Sequence, residues 1–295
     1  MDKKPLPIAL REATAALEGV SDTARLDAEL LAAHVMGMER MDMLARMADL
    51  DAPDEFDAMV ARRMADEPVA YITGVQAFWD IELSVTPNVL IPRSDSETLI
   101  EAADGYFADR QPKRILDLGT GSGALLLAAL SLFPDARGIG IDASEAALEV
   151  ARGNAQALGF DDRADMQMLS WHDADWVDRL NGPFDLILCN PPYIGDAEQL
   201  DPMVADHEPH AALFAGADGL SDYRAAIPAI PALLAPGGIA LFEIGHEQAQ
   251  AVSKLAKESG LSAQLHHDLS GKPRCVAMKD ARASQIANKS RHVTR

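Results

Sequence analysis

Cysteine is scarce in this chain: 2 in 295 residues, Cys189 and Cys275. So few thiols exclude a disulfide-stapled fold, and both lie in apolar runs. They read as buried thiols of a chain that works in a reducing compartment. Long apolar runs are missing as well. No stretch approaches the roughly 18 apolar residues of a spanning helix, and Met1-Asp2-Lys3-Lys4-Pro5 leads into no apolar core of signal-peptide length. A cytoplasmic location with no membrane contact is the expectation. Positive charge is short too, with 26 Lys and Arg against 46 Asp and Glu and a net charge of −20. Between Lys279 and Arg295 five basic residues face Asp280 alone, which leaves −24 on Met1 to Met278. A binder of nucleic acid shows the opposite sign, because phosphate neutralisation supplies most of its affinity. The acidity reads first as solubility and second as a mild preference for a basic protein partner.

The most informative segment that is present is Asn190-Pro191-Pro192-Tyr193, set directly after the apolar run Phe184 to Cys189. The run reads as a buried strand, and open α/β sheets bind ligands at the carboxyl ends of their strands. Two prolines fix the backbone and remove two donors, so carbonyls and the Asn190 side-chain oxygen can face a ligand. A cluster of acceptors selects a donor, and a planar NH₂ group suits it. The ring of Tyr193 would wall such a site or simply pack.

A second segment runs Arg114 to Leu118 as a strand, Gly119-Thr120-Gly121-Ser122-Gly123 as a loop, and Ala124 to Leu132 as an apolar helix. Glycines allow close approach of a ligand, and the helix amino terminus adds N–H groups and partial positive charge. Asp142 closes the next strand, at the distance where a carboxylate accepts a ribose hydroxyl pair. The same glycines occur in nicotinamide and flavin enzymes and in turns that bind nothing. The spacing here is Gly-x-Gly-x-Gly and not the dinucleotide Gly-x-Gly-x-x-Gly, which favours a nucleoside cofactor without a pyrophosphate. S-adenosylmethionine is the common one, and its sulfonium methyl is the electrophile that a gripped NH₂ group needs.

The chain resembles the HemK/PrmC methyltransferases, from about Gly74 to Ala277. Besides the Asn190 turn with Ile194, the resemblance rests on Gly74-Val75, Phe78-Trp79, Ile91 to Glu97, Asp117 to Gly123, Glu208 to Leu213, Gly219-Leu220, Pro236-Gly237-Gly238 and Asp268 to Gly271. It departs from the family pattern at Ser94, where a second proline is usual, and at Ser170, where an acid often precedes Trp171. The resemblance implies methylation of a glutamine side-chain amide in peptide chain release factors, with the Gly-Gly-Gln glutamine as target. It implies catalytic roles for Asn190, Pro191, Pro192 and Tyr193. It also implies a cofactor site of Gly119, Thr120, Gly121, Ser122, Gly123, Asp142 and Asn190, with Trp171 near the adenine or in the core. No metal is expected: the His207 and His210 pair has no further ligand set.

Periodicity organises the rest. A helical domain is expected over residues 1–73, with Leu26, Leu30 and Ala33 forming one inward face and Phe56, Val60 and Met64 another. Docking of the substrate protein is one role for it. Residues 74–98 read as a β-hairpin linker with Ile81, Leu83 and Val85 on one face. Residues 99–279 alternate strands and helices as a doubly wound, Rossmann-like α/β methyltransferase sheet. Strands are expected at Ile115 to Leu118, Gly138 to Ile141, Met166 to Leu169, Phe184 to Cys189, Ile239 to Glu243, Ala263 to His266 and Cys275 to Met278. Residues 280–295 form a basic tail, expected to be disordered. Asp95-Ser96-Glu97 reads as a helix cap, and Glu243 as either lining the cleft or satisfying backbone. Two other functions fit the same turn: methylation of an exocyclic base amine, which needs a basic groove, and a binding module without catalysis.

Overall fold

Five helices open the chain because apolar residues recur there with helical spacing. They are α1 (Leu6–Leu17), α2 (Ala24–Met36), α3 (Arg40–Arg46), α4 (Phe56–Met64) and α5 (Val69–Thr73). The computed structural model describes residues 4–281, so residues 282–295 of the expected basic tail lie outside the described residues. Along α1 the buried positions Leu6, Ala9, Leu10, Ala13 and Leu17 make a single stripe. Gly37, at φ +59°, ends α2 and returns its N–H to Ala33 and His34.

The inward face of α2 differs from the expected one. Ala33 is buried as expected, but Leu26 and Leu30 are exposed, and Ala24, Ala28, Leu31 and Ala32 take the other inward positions. Alanines let neighbouring helices approach closely, and the larger leucines turn outward. Along α4, Phe56 and Val60 are buried as expected, but Met64 is exposed and Arg63 takes the inward position. These helices and residues 200–207 form one compact unit; the second comprises residues 76–199 and those from Glu208 onward.

The second unit begins with a two-stranded sheet of β1 (Val75–Phe78) and β2 (Ile81–Ser84). Ile81, Leu83 and Val85 are buried, the alternation of a half-buried strand. Helix α6 (Glu97–Tyr106) leads into β3 (Arg114–Leu118), α7 (Ala124–Leu132), β4 (Arg137–Asp142), α8 (Glu145–Ala157), β5 (Ala164–Met168), α9 (Trp176–Arg179) and β6 (Phe184–Cys189). After α10 (Pro202–Ala205), a helix of the first unit, come α11 (Ser221–Ala226), α12 (Ile230–Leu233), β7 (Leu234–Glu243), α13 (Ala249–Glu258), β8 (Leu261–His267) and β9 (Pro273–Asp280). All seven expected strands are present, and β7 starts earlier than periodicity suggests because it runs through Pro236-Gly237-Gly238.

Seven strands form one sheet in the order β5-β4-β3-β6-β7-β9-β8, parallel except for β9, which runs against both neighbours. Residues alternate between its faces. Ile115, Leu186, Leu188 and Leu241 join the core beneath α6, α7 and α8. Leu116, Ile187, Ala240 and Phe242 join the core beneath α11, α12 and α13. Burial on both faces explains why the central strands β3, β6 and β7 are mostly apolar, while the edge strands β5 and β8 carry polar residues. The chain steps outward from β3 to β5 and then returns to β6 on the other side of β3, which makes β3 and β6 the switch point where such sheets bind ligands. Among the described residues no helix is long and apolar enough to cross a membrane.

Candidate active site

Register alone lines up the site. Ile141 pairs Leu118, Leu118 pairs Cys189, and Cys189 pairs Phe242. The next residue on each strand therefore gives Asp142, Gly119, Asn190 and Glu243, side by side along the carboxyl edge. Neighbouring strands are about 4.8 Å apart, so this row puts the loop after β3 and the turn after β6 next to each other.

The loop is built from three glycines in the left-handed region, Gly119 at φ +71°, Gly121 at +54° and Gly123 at +87°. Four of its five N–H groups are already used. Gly119 and Thr120 donate to the Ile141 carbonyl, Gly123 donates to Thr120, and Gly121 donates to Asp142 Oδ2 at 2.9 Å. Asn154, buried on α8, holds the Ser122 carbonyl from behind at 2.9 Å. Such a loop makes a poor phosphate cradle, because most of its donors are committed within the protein. What it offers is surface: a side chain at Gly121 would meet nothing within 4 Å, whereas one at Gly119 would press on the Trp171 ring at 3.0 Å. Trp171 is fixed in turn by its Nε1–H, which donates to Asp222 Oδ1 at 2.8 Å. Trp171 and Gly119 thus form one wall, and Trp171 also packs against the core that contains Tyr223 and Phe242.

Two carboxylates flank this loop. Asp142 takes N–H groups on both oxygens, from Gly121 and from Ser144 (2.9 Å each), and keeps further lone pairs for a ligand. Burial raises its pKa against those hydrogen bonds. Asp117 is 1 % exposed, within β3. Burial pushes its carboxyl up to about 7, although the Thr120 hydroxyl donates to Oδ2 at 2.6 Å. Its Oδ1 has no hydrogen-bond partner. An orphaned acidic oxygen, a ribose-competent carboxylate and an open glycine surface fit a cofactor with an ammonium group and a ribose.

On the other side the Asn190 turn is pinned at both ends. Ile194 pairs with the 213–215 strip through N–H groups of 3.0 and 2.9 Å, and the Tyr193 carbonyl accepts from Gln248 Nε2 at 2.8 Å. Gln248 also reaches the Gly219 carbonyl at 3.1 Å and accepts the Gly245 N–H at 3.1 Å. Pro191 is buried; Asn190, Pro192 and Tyr193 are half-buried. Burial pushes the Tyr193 phenol up to about 12, so it stays neutral. The Asn190 Nδ2 group donates to Ser96 Oγ at 3.2 Å.

Ser96 corrects the reading of its segment as a helix cap. It precedes α6 without any capping hydrogen bond from its side chain. Its hydroxyl oxygen instead accepts Asn190 Nδ2 at 3.2 Å, and the hydroxyl favours the charged form of the nearby Glu243 carboxyl. Asp95 pairs with Arg274 at 2.8 Å, and Glu97 accepts the Trp79 N–H at 2.9 Å. Glu243 is 1 % exposed, and its Oε2 has no partner. Sequence reasoning also passed over Asp117 and Gln248. A charged residue inside or at the end of an apolar strand was the available signal for Asp117 and Glu243; Gln248 carries no local signal. Among the described residues no three His, Cys, Asp or Glu side chains are grouped to hold a metal ion.

With this geometry in place, likeness to known proteins becomes informative. Residues 9–74 match the PrmC N-terminal domain family and residues 109–290 a methyltransferase domain family. A release factor glutamine methyltransferase of Rhodospirillum rubrum is 42% identical over 268 residues, covering 89% of this chain and 81% of that protein. Those of Bradyrhizobium diazoefficiens and Cereibacter sphaeroides are 41% and 40% identical, over 88% and 90% of this chain and 89% and 94% of those proteins. A shared sequence at this level across both domains, on a sheet whose switch point carries the glycine loop and the Asn190 turn, leaves one assignment: the chain belongs to the release factor glutamine methyltransferase family.

Proposed function

We propose that this chain methylates the side-chain amide nitrogen of the glutamine in the Gly-Gly-Gln motif of peptide chain release factors, in the cytoplasm, with S-adenosylmethionine as methyl donor. The observation that carries the proposal is the anchoring of Asn190. Its Nδ2 is committed to Ser96, which leaves Oδ1 to face a ligand. Oδ1 and the Pro191 carbonyl are the two acceptors for the two hydrogens of a carboxamide.

An amide nitrogen is a weak nucleophile because its lone pair is delocalised into the carbonyl. Two acceptors on its hydrogens hold it in plane and strengthen their bonds as nitrogen becomes positive, so they favour the transition state over the ground state. In-line approach to about 3–3.5 Å is the remaining requirement. The cofactor supplies a sulfonium-bound methyl, and the products are N-methylglutamine, a neutral thioether and a proton. The methylated nitrogen is acidic enough to release that proton to water, so no strong base is needed. Tyr193, neutral at working pH, walls the pocket, and its ring face favours a cation by about 0.5–2 kcal/mol; Pro192 stiffens the turn. Asp142 accepts the ribose hydroxyls, residues Gly119 to Gly123 carry the methionine and ribose portions, and the orphaned Asp117 oxygen suits the ammonium. Trp171 borders the adenine end.

The helical unit is assigned to docking the protein substrate, and the acidic chain suits a basic partner. Incubation with methyl-labelled S-adenosylmethionine and a release factor is expected to label the factor. The same factor with its Gly-Gly-Gln glutamine replaced is expected to stay unlabelled, and DNA likewise. Label in DNA, or in the glutamine-replaced factor, would refute the proposal.

A further inference from the structure

The Asn190 carboxamide can serve as an acceptor only if its oxygen, and not its NH₂ group, faces the substrate. Nothing in the turn itself decides this, because the two ends of a carboxamide have nearly the same shape. The decision comes from outside the turn. Ser96 is 3 % exposed and accepts Asn190 Nδ2 at 3.2 Å; Asn190 and Glu243 are neighbours along the sheet edge, and the Ser96 hydroxyl favours the charged form of the Glu243 carboxyl. An ionised carboxylate only accepts hydrogen bonds. If Glu243 is charged, the single hydroxyl hydrogen of Ser96 must go to it. Ser96 Oγ is then an acceptor toward Asn190, which must present Nδ2 to it and turn Oδ1 the other way.

We propose that Glu243 and Ser96 are positioning residues that set the polarity of the Asn190 carboxamide, and through it the donor-only specificity of the site. This rests on the reading of Asn190 as an acceptor of the substrate amide. The reverse state is built in. A protonated Glu243 can donate to Ser96, whose own hydrogen is then free to bond Asn190 Oδ1; the amide turns over and meets the substrate NH₂ with an NH₂ of its own. Burial holds the Glu243 carboxyl up at about 7, so the two states interconvert near neutral pH. Every group facing it is accounted for. Arg274 and Arg93 favour the charged form and Asp95 opposes it. Cys275, Cys189, Tyr193 and Tyr223 are all pushed upward by burial and stay neutral in this range. The Tyr223 hydroxyl is occupied by the Glu243 backbone carbonyl at 2.8 Å.

The test has a readout that does not need activity. In the ¹⁵N-labelled full chain, the Asn190 side-chain NH₂ signals, assigned by their loss in Asn190→Ala, are expected to shift with a midpoint near pH 7. The shift should vanish in Glu243→Gln and in Ser96→Ala. Methyl transfer to the release factor is expected to fall at least tenfold in kcat in both variants, with S-adenosylmethionine Kd within about threefold of wild type. The acid limb of the kcat profile near pH 7 should disappear with Glu243→Gln. Asn190 signals in the wild type that stay flat from pH 5.5 to 8.5, or a folded Ser96→Ala with wild-type kcat, would overturn the inference. A wild type that labels no release factor would refute the proposed substrate instead, while the Asn190 titration still decides this point.

Discussion

Two buried glutamates in this chain meet opposite fates. Glu29, on α2 of the helical unit, is 2 % exposed, and Glu243, at the end of β7, is 1 % exposed. Burial pushes both upward. At Glu29 the guanidinium groups of Arg25 (2.7 Å) and Arg40 (2.9 Å) outweigh it and bring the carboxyl below its ordinary value. At Glu243 no cation among the described residues makes direct contact, and the carboxyl stays up at about 7 with one oxygen unpartnered among them. Asp27 and Asp117 repeat the contrast. Asp27 meets Arg63 at 2.8 Å and the Thr23 hydroxyl at 2.9 Å, whereas Asp117 pairs with no cation among the described residues and leaves Oδ1 unpartnered there. The helical unit matches its buried acids with cations, although Arg63 Nη1 is left over. The sheet edge leaves its acids unmatched. Unmatched buried charge destabilises a fold unless a ligand or a reaction uses it.

The contrast can be broken first in the helical unit. Arg63→Ala strands Asp27 in the core and is expected to cost about 3–5 kcal/mol of stability, read as a lowered denaturation midpoint; a loss under about 1 kcal/mol would show that the pair is not structural. At the sheet edge the effect moves from stability to chemistry. Asn190→Ala is expected to lower kcat by about 10²–10³-fold, the scale of losing a transition-state hydrogen bond, with cofactor affinity within a few-fold. Asp142→Ala is expected to weaken S-adenosylmethionine binding by about tenfold or more, since charged hydrogen bonds contribute about 1.5–3 kcal/mol; an unchanged Kd by calorimetry would discard the ribose assignment.

The smallest effect is the most specific to the comparison. Asp117 titrates at about 7 in the fold against 3.8 for an ordinary aspartate, and Glu243 at about 7 against 4.5. Between those values the folded state holds more protons than the unfolded chain, so these two groups make stability fall as pH rises from about 4 to 7. Asp117→Asn should flatten that fall in a series of thermal melts. An undiminished slope would mean that the carboxyl is not the group responsible.

Much of this was legible in the chain. Apolar runs marked the central strands β3, β6 and β7, because both faces of the sheet are covered there, whereas the edge strands β5 and β8 carry polar, exposed residues. Asn190 and Asp142 were placed correctly at strand ends because a polar residue after an apolar run has only one edge to occupy. On α2 the i, i+4, i+7 recurrence picks out Ala33, which is buried, but also Leu26 and Leu30, which close helix packing leaves exposed in favour of alanine. Ser96 was hidden for a deeper reason. It is 94 residues from Asn190; the β6 and β7 register brings Asn190 beside Glu243, and the packing of α6 against β7 brings Ser96 to them. A serine before a helix otherwise reads as a cap.

The central claim is that a carboxamide is held by Asn190 Oδ1 and the Pro191 carbonyl with its nitrogen turned toward the methyl donor. A crystal structure with the demethylated cofactor and a Gly-Gly-Gln peptide tests it directly. The account predicts the glutamine nitrogen within hydrogen-bond distance of both oxygens and facing the cofactor sulfur; a nitrogen outside that pair, or turned from the sulfur, would contradict it.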